Sequence, residues 1–426
     1  MRFIVPILIG RVLRALARAR GGGSAYPGYI VMKLVPDFLQ HVTKQFPNGI
    51  VFVLGSNGKS TTTHMISDIM RAHGLRVFTN PSGANLPQGI ASALLSEVGL
   101  TGRLKADIGI LEVDEAFAVE LSGILHPSTV TMLNVQVDQL YRFFETERVA
   151  TMMLDTAATS TANVVTNHDD QFLDAYVGSA GQRVLRFGAS AAIVSAAPNG
   201  LQNADDFAGP DRTADTDTPP TTAADAEIVE HRGDGAVIRF GGTDIPVRLP
   251  ARGLHYAVDA AAAAATASAA LGDQFRAASV TDAFRSMKPA YGRGERLPIG
   301  DESAEFTMFK NAASLQLNLD AFDTAPEQVL MAIDEGTPDI SWIYDIDFSG
   351  LDHVDVVSGD KAWQIALALE HAGVRIGLVE PDVEKAIRAM QELGRTDRGT
   401  KNFIVNYEIM MIARKALGHP DLEKTA

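Results

Sequence analysis

The sequence predicts an α/β protein with a parallel sheet, and three observations lead to that class. Short apolar runs alternate with helical patterns from residue 50 to about 190, and the alternation resumes after Arg296. Such alternation is typical of βαβ units, whose strands run parallel. A glycine-containing turn separates the first apolar run from a polar helix start within 51–63. With 426 residues, 46% of them hydrophobic, the chain can form two or three domains with substantial cores.

The first 45 residues form an entry segment, in which Tyr26-Pro-Gly28 is predicted to be a turn. Residues 3–9 are apolar, and arginines follow at positions 11, 14, 18 and 20. A secretory signal would place its charges before the apolar part, so a leader peptide is not expected. Two alternatives stay open: a basic amphipathic helix on an anionic membrane surface, and a helix packed on the domain. The sequence contains no apolar run of about 18 residues, so no membrane span is predicted.

The segment 51–63, Val-Phe-Val-Leu-Gly-Ser-Asn-Gly-Lys-Ser-Thr-Thr-Thr, predicts a phosphate-binding loop. An apolar strand leads into a turn with two glycines, and the next helix is predicted to begin at Ser60. This arrangement directs backbone N–H groups and a helix N-terminus at phosphate. Lys59 can reach the β- and γ-phosphates, and the hydroxyl of Ser60 or Thr61 can ligate Mg²⁺. The other nucleotide-binding candidates in the loop are Gly55, Asn57 and Gly58.

Three carboxylates lie at the end of the next strongly apolar run: Glu112, Asp114 and Glu115. Ligands bind at the carboxyl ends of strands in open α/β sheets. Mg²⁺ prefers one or two carboxylates together with phosphate oxygens and water. Glu112 is therefore predicted to be a metal ligand beside Ser60, and Glu112 and Lys59 are predicted to be catalytic.

Composition and pattern divide the chain into a central domain at 46–298 and a C-terminal α/β domain at 299–426. A segment rich in Pro, Asp, Thr and Ala at about 196–232 is predicted to be a mobile insertion. The predicted strands are 227–231, 236–249, 328–333, 354–358 and 374–379. The predicted helices are 257–270, 360–372 and 382–393.

Charge and cysteine content exclude several classes of function. A net charge of −15 argues against nucleic acid as a partner. The chain has no cysteine, so it contains no disulfide, no thiolate zinc site and no cysteine nucleophile.

Further motifs accompany the phosphate loop. They are Ser82-Gly-Ala-Asn-Leu-Pro-Gln-Gly-Ile90, Leu111-Glu-Val-Asp-Glu-Ala116, Asn167-His-Asp-Asp170, Tyr291-Gly-Arg-Gly-Glu295, Phe309-Lys-Asn311, Asp339-Ile-Ser-Trp-Ile-Tyr-Asp-Ile-Asp347 and Val357-Ser-Gly359. With these motifs, from roughly Gly21 to Leu417 and interrupted at 196–250, the chain resembles the Mur ligase superfamily and, within it, the MurT family. The loop alone marks the superfamily. The Ser-Gly-Ala-Asn segment combined with Asp-x-Ser-Trp is more specific to the MurT family.

The resemblance implies a Mur ligase-type central ATPase domain with a parallel sheet, followed by a Rossmann-like α/β C-terminal domain. It implies ATP-dependent amidation of the α-carboxyl of D-glutamate in the lipid II stem peptide, a cytoplasmic step of peptidoglycan synthesis that passes through an acyl phosphate. ATP and Mg²⁺ are the implied cofactors. The resemblance also places Arg293, Lys310 and Asn311 near ATP, and Ser82 and Asn85 in a substrate loop.

The resemblance further implies a GatD-like glutamine amidotransferase as partner, because releasing ammonia from glutamine needs a cysteine that this chain lacks. In the family, the C-terminal domain docks the partner and gives an aspartate that orients the partner's catalytic histidine. Asp339 matches that position best, Asp345 is the second choice and Asp347 is a further candidate. Spacing does not decide among them, and helix capping is the alternative role for Asp339.

The chain departs from the family in several places. The family's four-cysteine zinc ribbon has no counterpart near 196–232, so no zinc is expected. Val137 and Tyr141 replace an arginine and an aspartate, and Tyr256 and Asp259 replace two asparagines, one of them expected near ATP. Two alternatives therefore stay open: a stand-alone Mur-type or folylpolyglutamate-like amino-acid ligase, and a degenerate nucleotide-binding scaffold subunit.

Overall fold

The computed structural model describes most of the chain. The described residues are 2–19, 25–81, 83–136, 146–197, 201, 224–288, 292–337 and 339–419. Much of the predicted insertion at about 196–232 lies outside this set, and so do Ser82, Val137 and Tyr141.

Three helices precede the first strand: α1 (Ile4–Ala19), α2 (Tyr26–Leu34) and α3 (Phe38–Thr43). The predicted turn at Tyr26–Gly28 is wrong, because these residues form the first turn of α2. Proline is tolerated there, since the first N–H groups of a helix have no intrahelical acceptor. Gly28 instead allows a close helix contact, because a Cβ at this position would lie 2.0 Å from the carbonyl oxygen of Gln88.

The first sheet is built mainly from parallel strands. Its strands are β1 (Ile50–Leu54), β2 (Val77–Thr79), β3 (Ile108–Glu112), β4 (Thr129–Met132), β5 (Asn163–Asn167), β6 (Arg183–Ala189), β7 (Ala226–Arg232), β8 (Gly235–Phe240) and β9 (Thr243–Arg248). Their order among the described residues is β2-β3-β1-β4-β5-β6-β7-β8-β9. Strands β1 to β7 pair in parallel, and β8 and β9 add an antiparallel hairpin. The single strand predicted at 236–249 is wrong, because Gly241 and Gly242, both with positive φ, turn the chain there.

Helices cover both faces of this sheet. They are α4 (Lys59–Ala72), α5 (Pro87–Glu97), α6 (Glu115–Leu125), α7 (Thr146–Ala158), α8 (Gln171–Asp174), α9 (Ala191–Ala196), α10 (Leu254–Leu271) and α11 (Ala277–Ser286). One core lies between the sheet and α4, α10 and α11, and the other lies between the sheet and the layer of α2, α3, α5, α6 and α7. The predicted alanine-rich helix is confirmed as α10. Its small buried side chains let it lie close against the strands.

A second sheet forms the C-terminal unit. Its strands are β10 (Arg293–Ile299), β11 (Glu302–Met308), β12 (Val329–Ala332), β13 (His353–Ser358), β14 (Arg375–Val379) and β15 (Thr400–Val405). Its helices are α12 (Ala312–Asp320), α13 (Ala362–His371), α14 (Val383–Glu392) and α15 (Tyr407–Ala416). The strand order is β10-β11-β15-β12-β13-β14, with only the β10–β11 pair antiparallel among the described strands.

The predicted class of an α/β protein with parallel strands is confirmed, as are the three strands and two helices predicted after residue 320. The predicted domain boundary near 298 falls inside β10, and this strand pairs with β11 of the second sheet from Arg293 onward. The break between the sheets therefore lies before Arg293. Strand β15, which lies between β11 and β12 in the second sheet, was not predicted from the sequence.

We expect Gly28→Ala to destabilise the protein by about 1–3 kcal/mol, as overpacking of a well-packed contact does. The added methyl group would overlap the backbone of α5 at Gln88 and Ser92, and backbone cannot swing aside as a side chain can. Gly123→Ala is the matched control, because this exposed helical glycine has no neighbour within 4 Å of an added Cβ. It should gain about 0.5–1 kcal/mol from helix propensity. Urea unfolding measures both, and equal effects would contradict the α2–α5 contact.

Candidate functional site

The turn after β1 has the backbone geometry of a phosphate loop. Gly55 and Gly58 have φ values of +149° and +82°, which residues with side chains disfavour. A Cβ on Gly58 would also lie 2.5 Å from Oδ1 of Asp259. Helix α4 begins at Lys59, one residue before the predicted start. Because β1 lies between β3 and β4, where the strand order reverses, the loop emerges where open α/β sheets bind ligands.

The ammonium group of Lys59 is buried among oxygen atoms. It donates to Oε1 of Glu115 at 2.8 Å and to the carbonyl oxygen of Gly55. The same Glu115 oxygen accepts the N–H of Gly55 at 3.1 Å. Glu115 therefore ties the first glycine of the loop to its lysine. Sequence analysis placed Glu115 in the acidic cluster without a role, although its position directly after β3 was a usable signal.

The predicted metal ligands lie on the other side of the same helix start. The Ser60 hydroxyl donates to Oε2 of Glu112 at 2.6 Å, and both side chains are buried. Thr61, also buried, follows in the first turn of α4. The backbone of Glu112 is fixed by the Asn80 amide, which accepts its N–H at 3.0 Å and donates to its carbonyl oxygen at 2.9 Å. The structure thus brings Ser60 and Glu112 together.

Two polar residues after β4 hold the loop in place, and sequence analysis assigned them no role. Oδ1 of Asn134 accepts the N–H of Asn57 at 2.9 Å, and Nδ2 of Asn134 donates to the Asn57 carbonyl oxygen at 3.1 Å. The Ser56 hydroxyl accepts the N–H of Gln136 at 3.0 Å. The Asn57 amide also donates to the side chain of Gln136. Asn134 and Gln136 could have been recognised in the sequence as polar residues at the carboxyl end of a parallel strand.

The second unit reaches the loop through Asn311. Nδ2 of Asn57 donates to Oδ1 of Asn311 at 3.1 Å. Asn311 is buried and caps α12, where the same oxygen accepts the N–H of Ser314 at 3.0 Å. Lys310, the next residue toward the N-terminus, is exposed at the edge of this contact. The predicted residue Asn311 therefore lies at the loop, and Lys310 lies beside it.

Arg293 lies half-buried at the start of β10, and its charge acts on His64 of α4 and on His255 and Asp259 of α10. Burial, with a smaller contribution from the nearby charge of Arg293, lowers the pKa of His255 to about 3. Burial raises the pKa of Asp259 to about 7, against the opposing influence of Thr62 and Arg293. Arg293 thus supplies positive charge close to the aspartate that contacts Gly58.

A buried ion pair anchors the segment that carries Arg293. Arg414 on α15 pairs with Glu295, and the other oxygen of Glu295 accepts the N–H of Gly292 at 3.1 Å. Gly292 packs against Met410 so closely that a Cβ would lie 2.0 Å from its sulfur. The C-terminal helix therefore fixes the path of the chain on both sides of Arg293.

The remaining predicted site residues lie elsewhere or outside the described residues. Asn85 contributes its carbonyl oxygen to the N–H of Asp114 at 3.1 Å, which places the predicted substrate loop beside the acidic cluster. Asp339, Asp345 and Asp347 lie in the second unit, around a 3₁₀ turn at Ser341–Asp345. Within the described residues, neither Asp339 nor Asp345 contacts the phosphate loop, and Oδ1 of Asp339 accepts the N–H of Ser341.

The donor set at the helix start fits Mg²⁺ and a nucleoside triphosphate. Ser60 and Glu112 offer hard oxygen ligands 2.6 Å apart, beside the first backbone N–H groups of α4. Mg²⁺ typically takes only one or two protein ligands and fills its shell with phosphate and water. The described residues contain no cluster of three or more His, Asp or Glu side chains that could hold a metal ion.

The fold and the loop define a ligase of the Mur type. The profile of the Mur ligase middle domain matches residues 53–267, and that of the MurT ligase C-terminal domain matches residues 308–410. The chain belongs to the Mur ligase family. Its C-terminal unit is that of the MurT branch.

Curated relatives and solved structures agree with this assignment. The chain is similar to the subunit MurT of lipid II isoglutaminyl synthase (glutamine-hydrolyzing) from Streptococcus pneumoniae, with 26% identity over 386 residues, 84% of this chain and 83% of that protein. The Staphylococcus aureus subunit MurT is 30% identical over 174 residues, 41% of this chain and 39% of that protein. In fold, the chain is similar to MurF from Thermotoga maritima in complex with ADP (TM-score 0.66, 18% identity, 94% of this chain and 85% of that one). A folylpolyglutamate synthase from Mycobacterium tuberculosis gives a TM-score of 0.59 at 14% identity, covering 91% and 93%.

These findings confirm the predicted family, its MurT branch, the fold class and the ligase class. The roles of single residues, the cofactors and the partner stay predictions.

We expect Asp259→Asn to change how stability depends on pH. The pKa of Asp259 is raised to about 7 in the folded protein from an ordinary value of 3.8, so the unfolded chain loses this proton first as pH rises. The folded state then binds more protons than the unfolded state between about pH 4 and 7, and stability falls with pH across that window. The asparagine variant has no titrating group at this position, so this pH-dependent loss of stability is absent. Its stability should rise relative to the parent by roughly 1.4 kcal/mol per pH unit there.

Urea unfolding at pH 4, 5.5 and 7 measures the effect. Parallel stability curves for the two proteins would contradict the burial of an ionisable group against the loop.

Proposed function

We propose that the chain is the synthetase subunit of a lipid II isoglutaminyl synthase. In this proposal it uses ATP to convert the α-carboxyl of D-glutamate in the lipid II stem peptide to the amide of D-isoglutamine. The similarity to MurT over 84% of the chain supports the substrate, and the MurT-type unit at 308–410 supports the class of reaction. The observation that carries the proposal is the arrangement of Lys59, Ser60 and Glu112 at the start of α4.

The chemistry requires activation of a carboxylate. A carboxylate is a poor electrophile, so transfer of the γ-phosphoryl group of ATP to it forms an acyl phosphate with a good leaving group. Ammonia then attacks the carbonyl carbon, the amide C–N bond forms, the C–O bond to phosphate breaks, and inorganic phosphate leaves together with one proton from the ammonia nitrogen. The protein's contribution to phosphoryl transfer is positioning and neutralisation of charge.

Lys59 is proposed to provide the positive charge at the transferring phosphoryl group. Its ammonium group already lies within the loop, where it donates to Glu115 and to the carbonyl oxygen of Gly55. Glu115 therefore acts as a positioning residue: it keeps a buried cation compensated and stops the lysine from turning away. The catalytic role assigned to Lys59 rests on this geometry.

Ser60, Thr61 and Glu112 are the residues that would hold Mg²⁺. When bound, Mg²⁺ neutralises charge on the β- and γ-phosphates. The chain's own part is to orient these ligands, which the Asn80 clamp on Glu112 and the first turn of α4 accomplish.

The nucleotide site is proposed to lie between the two units. Asn311 already contacts Asn57 of the loop, and the charge of Arg293 acts on Asp259, the residue closest to a Cβ on Gly58. Both residues lie at the ends of elements of the second unit, β10 and α12. ATP would therefore contact both units at once, with Lys310 beside it.

Ammonia is proposed to come from a GatD-like glutamine amidotransferase, because this chain has no cysteine nucleophile. Asp339 and Asp345 lie at the two ends of one exposed turn. Oδ1 of Asp339 accepts the N–H of Ser341 at 2.8 Å, and this hydrogen bond holds the pKa of Asp339 below its ordinary value. This contact is a local turn and not a helix cap, because Ile340 is the residue that precedes the 3₁₀ turn and no side chain caps it. The carboxylate of Asp339 is exposed and accessible to a partner. Asp339 remains the first candidate for the aspartate that orients the partner's catalytic histidine, and Asp345 remains the second.

An exposed apolar patch beside these aspartates supports a protein partner at this end. Tyr344 follows in the same turn, and Trp363 and Leu367 lie one helical turn apart on α13, which packs against that turn. Trp363 is 66% exposed. Large aromatic side chains surrounded by polar ones are typical of protein–protein interfaces.

One observation favours the scaffold alternative. Asp259 places a buried carboxyl group directly against Gly58, where the family has an asparagine, and a negative charge there would oppose phosphate. A protein that bound nucleotide weakly and served its partner as a scaffold would show this feature.

The test uses the chain with its amidotransferase partner, ATP, Mg²⁺ and lipid II, with either glutamine or ammonium as nitrogen donor. We expect Asp339→Asn to lower glutamine-dependent amidation by about tenfold or more, since an aspartate that orients a catalytic histidine contributes strongly. Ammonium-dependent amidation should stay within about twofold. Asp345→Asn makes the same charge change on the same segment and serves as the matched control.

Equal loss with both donors in Asp339→Asn would contradict the shared catalytic aspartate, and selective loss in Asp345→Asn would move the role to that residue. No amidation by the parent protein with either donor would overturn the proposed function in favour of a scaffold.

A further inference from the structure

The outward side of α1 is apolar, which is unusual for a surface helix. Val5, Leu8, Ile9, Val12 and Leu16 are exposed by 62%, 45%, 39%, 59% and 52%. At 100° per residue these positions fall within an arc of about 100° on one side of the helix. We call this set the outer face of α1. Exposed apolar side chains that form one continuous stripe mark an interaction surface.

The opposite side of α1 is fixed to the domain, so the outer face cannot turn inward. Ile7 is fully buried. A Cβ on Gly10 would lie 2.6 Å from a methyl group of Val31 and 2.8 Å from one of Leu95, which shows how closely the helix packs. Nε of Arg11 donates to the carbonyl oxygen of Leu95 at 3.1 Å, and its Nη2 donates to that of Val98. Arg11 thus satisfies carbonyl groups at the end of α5.

The sequence of the first 36 residues is basic, although the chain as a whole carries −15. The segment before Asp37 contains no acidic residue. Its six basic residues are Arg2, Arg11, Arg14, Arg18, Arg20 and Lys33. Asp37, just after this segment, pairs with Arg2, so the segment taken together with Asp37 carries six basic residues and one acidic residue.

Helix α2 adds exposed aromatic residues next to α1. Tyr26 and Tyr29 are 58% and 51% exposed, and Lys33 lies over the ring of Tyr29 at 6.0 Å. Tyrosine and lysine together are typical of the boundary between lipid headgroups and water. Leu34, 51% exposed, lies beside them on α2.

We infer that the outer face of α1, together with the exposed tyrosines of α2, docks this protein on an anionic membrane surface. The inference rests on the proposed function, whose lipid-linked substrate lies in a membrane. Docking is peripheral, because no helix in the described part of the chain is long and apolar enough to cross a bilayer. A second copy of the chain is a poor occupant, because pairing two outer faces would bring two positively charged ends together.

The experiment is co-sedimentation of the full chain with vesicles of phosphatidylglycerol and phosphatidylcholine, and with vesicles of phosphatidylcholine alone. We expect binding to the anionic vesicles that weakens at high salt. The double variant Leu8→Gln/Val12→Gln should bind at least tenfold less. The matched control is Val119→Gln/Val177→Gln, which changes two valines, 41% and 87% exposed, outside the outer face and should bind as the parent does.

Thermal unfolding and nucleotide binding of both variants show that folding and the loop are intact. Equal binding of the two double variants, or equal binding to neutral and anionic vesicles, would overturn the inference. The inference would also be overturned if the parent protein formed a dimer and did not bind vesicles, and if the variant Leu8→Gln/Val12→Gln were a monomer. Amidation by the parent without vesicle binding would overturn this inference alone and leave the proposed function standing.

Discussion

The parallel pairing of β1 with β3 is the constraint on which the site depends. Its register sets Val53 opposite Glu112, so the phosphate loop emerges beside the carboxylates that follow β3. Ser60 then meets Glu112 at 2.6 Å, and Lys59 meets Glu115 at 2.8 Å. A slip of two residues would move the strands by about 6–7 Å and separate both pairs. Both strands are fully buried, so the core on each face of the sheet fixes their register.

The two units are joined where the chemistry is proposed to occur. Asn311 caps α12 and contacts Asn57, so one side chain both begins a helix of the second unit and reaches the loop of the first. The buried pair of Glu295 with Arg414 fixes the chain next to Arg293. The acidic chain thus places the basic residues Lys59 and Arg293 at the proposed nucleotide site, and further basic residues on its N-terminal segment.

The sequence was sufficient for the features that local pattern determines. The β1–loop–α4 unit, the alanine-rich α10 and the strands after residue 320 follow from periodicity, glycine placement and propensity. It was insufficient where tertiary contacts decide. Tyr26–Gly28 carries turn residues but is helical, because Pro27 suits a first helical turn and Gly28 meets the backbone of α5. The role of Glu115 depends on the distance between two strand ends, which spacing along the chain does not give.

The most direct test of the account is calorimetry with a non-hydrolysable ATP analogue, with and without Mg²⁺. The account predicts binding that weakens at least tenfold when Mg²⁺ is removed, and to a similar extent in Glu112→Gln and Lys59→Ala. Glu120→Gln, which removes an exposed carboxylate from α6, should bind as the parent does. Folded protein that shows no magnesium-dependent affinity for the analogue would contradict the central claim.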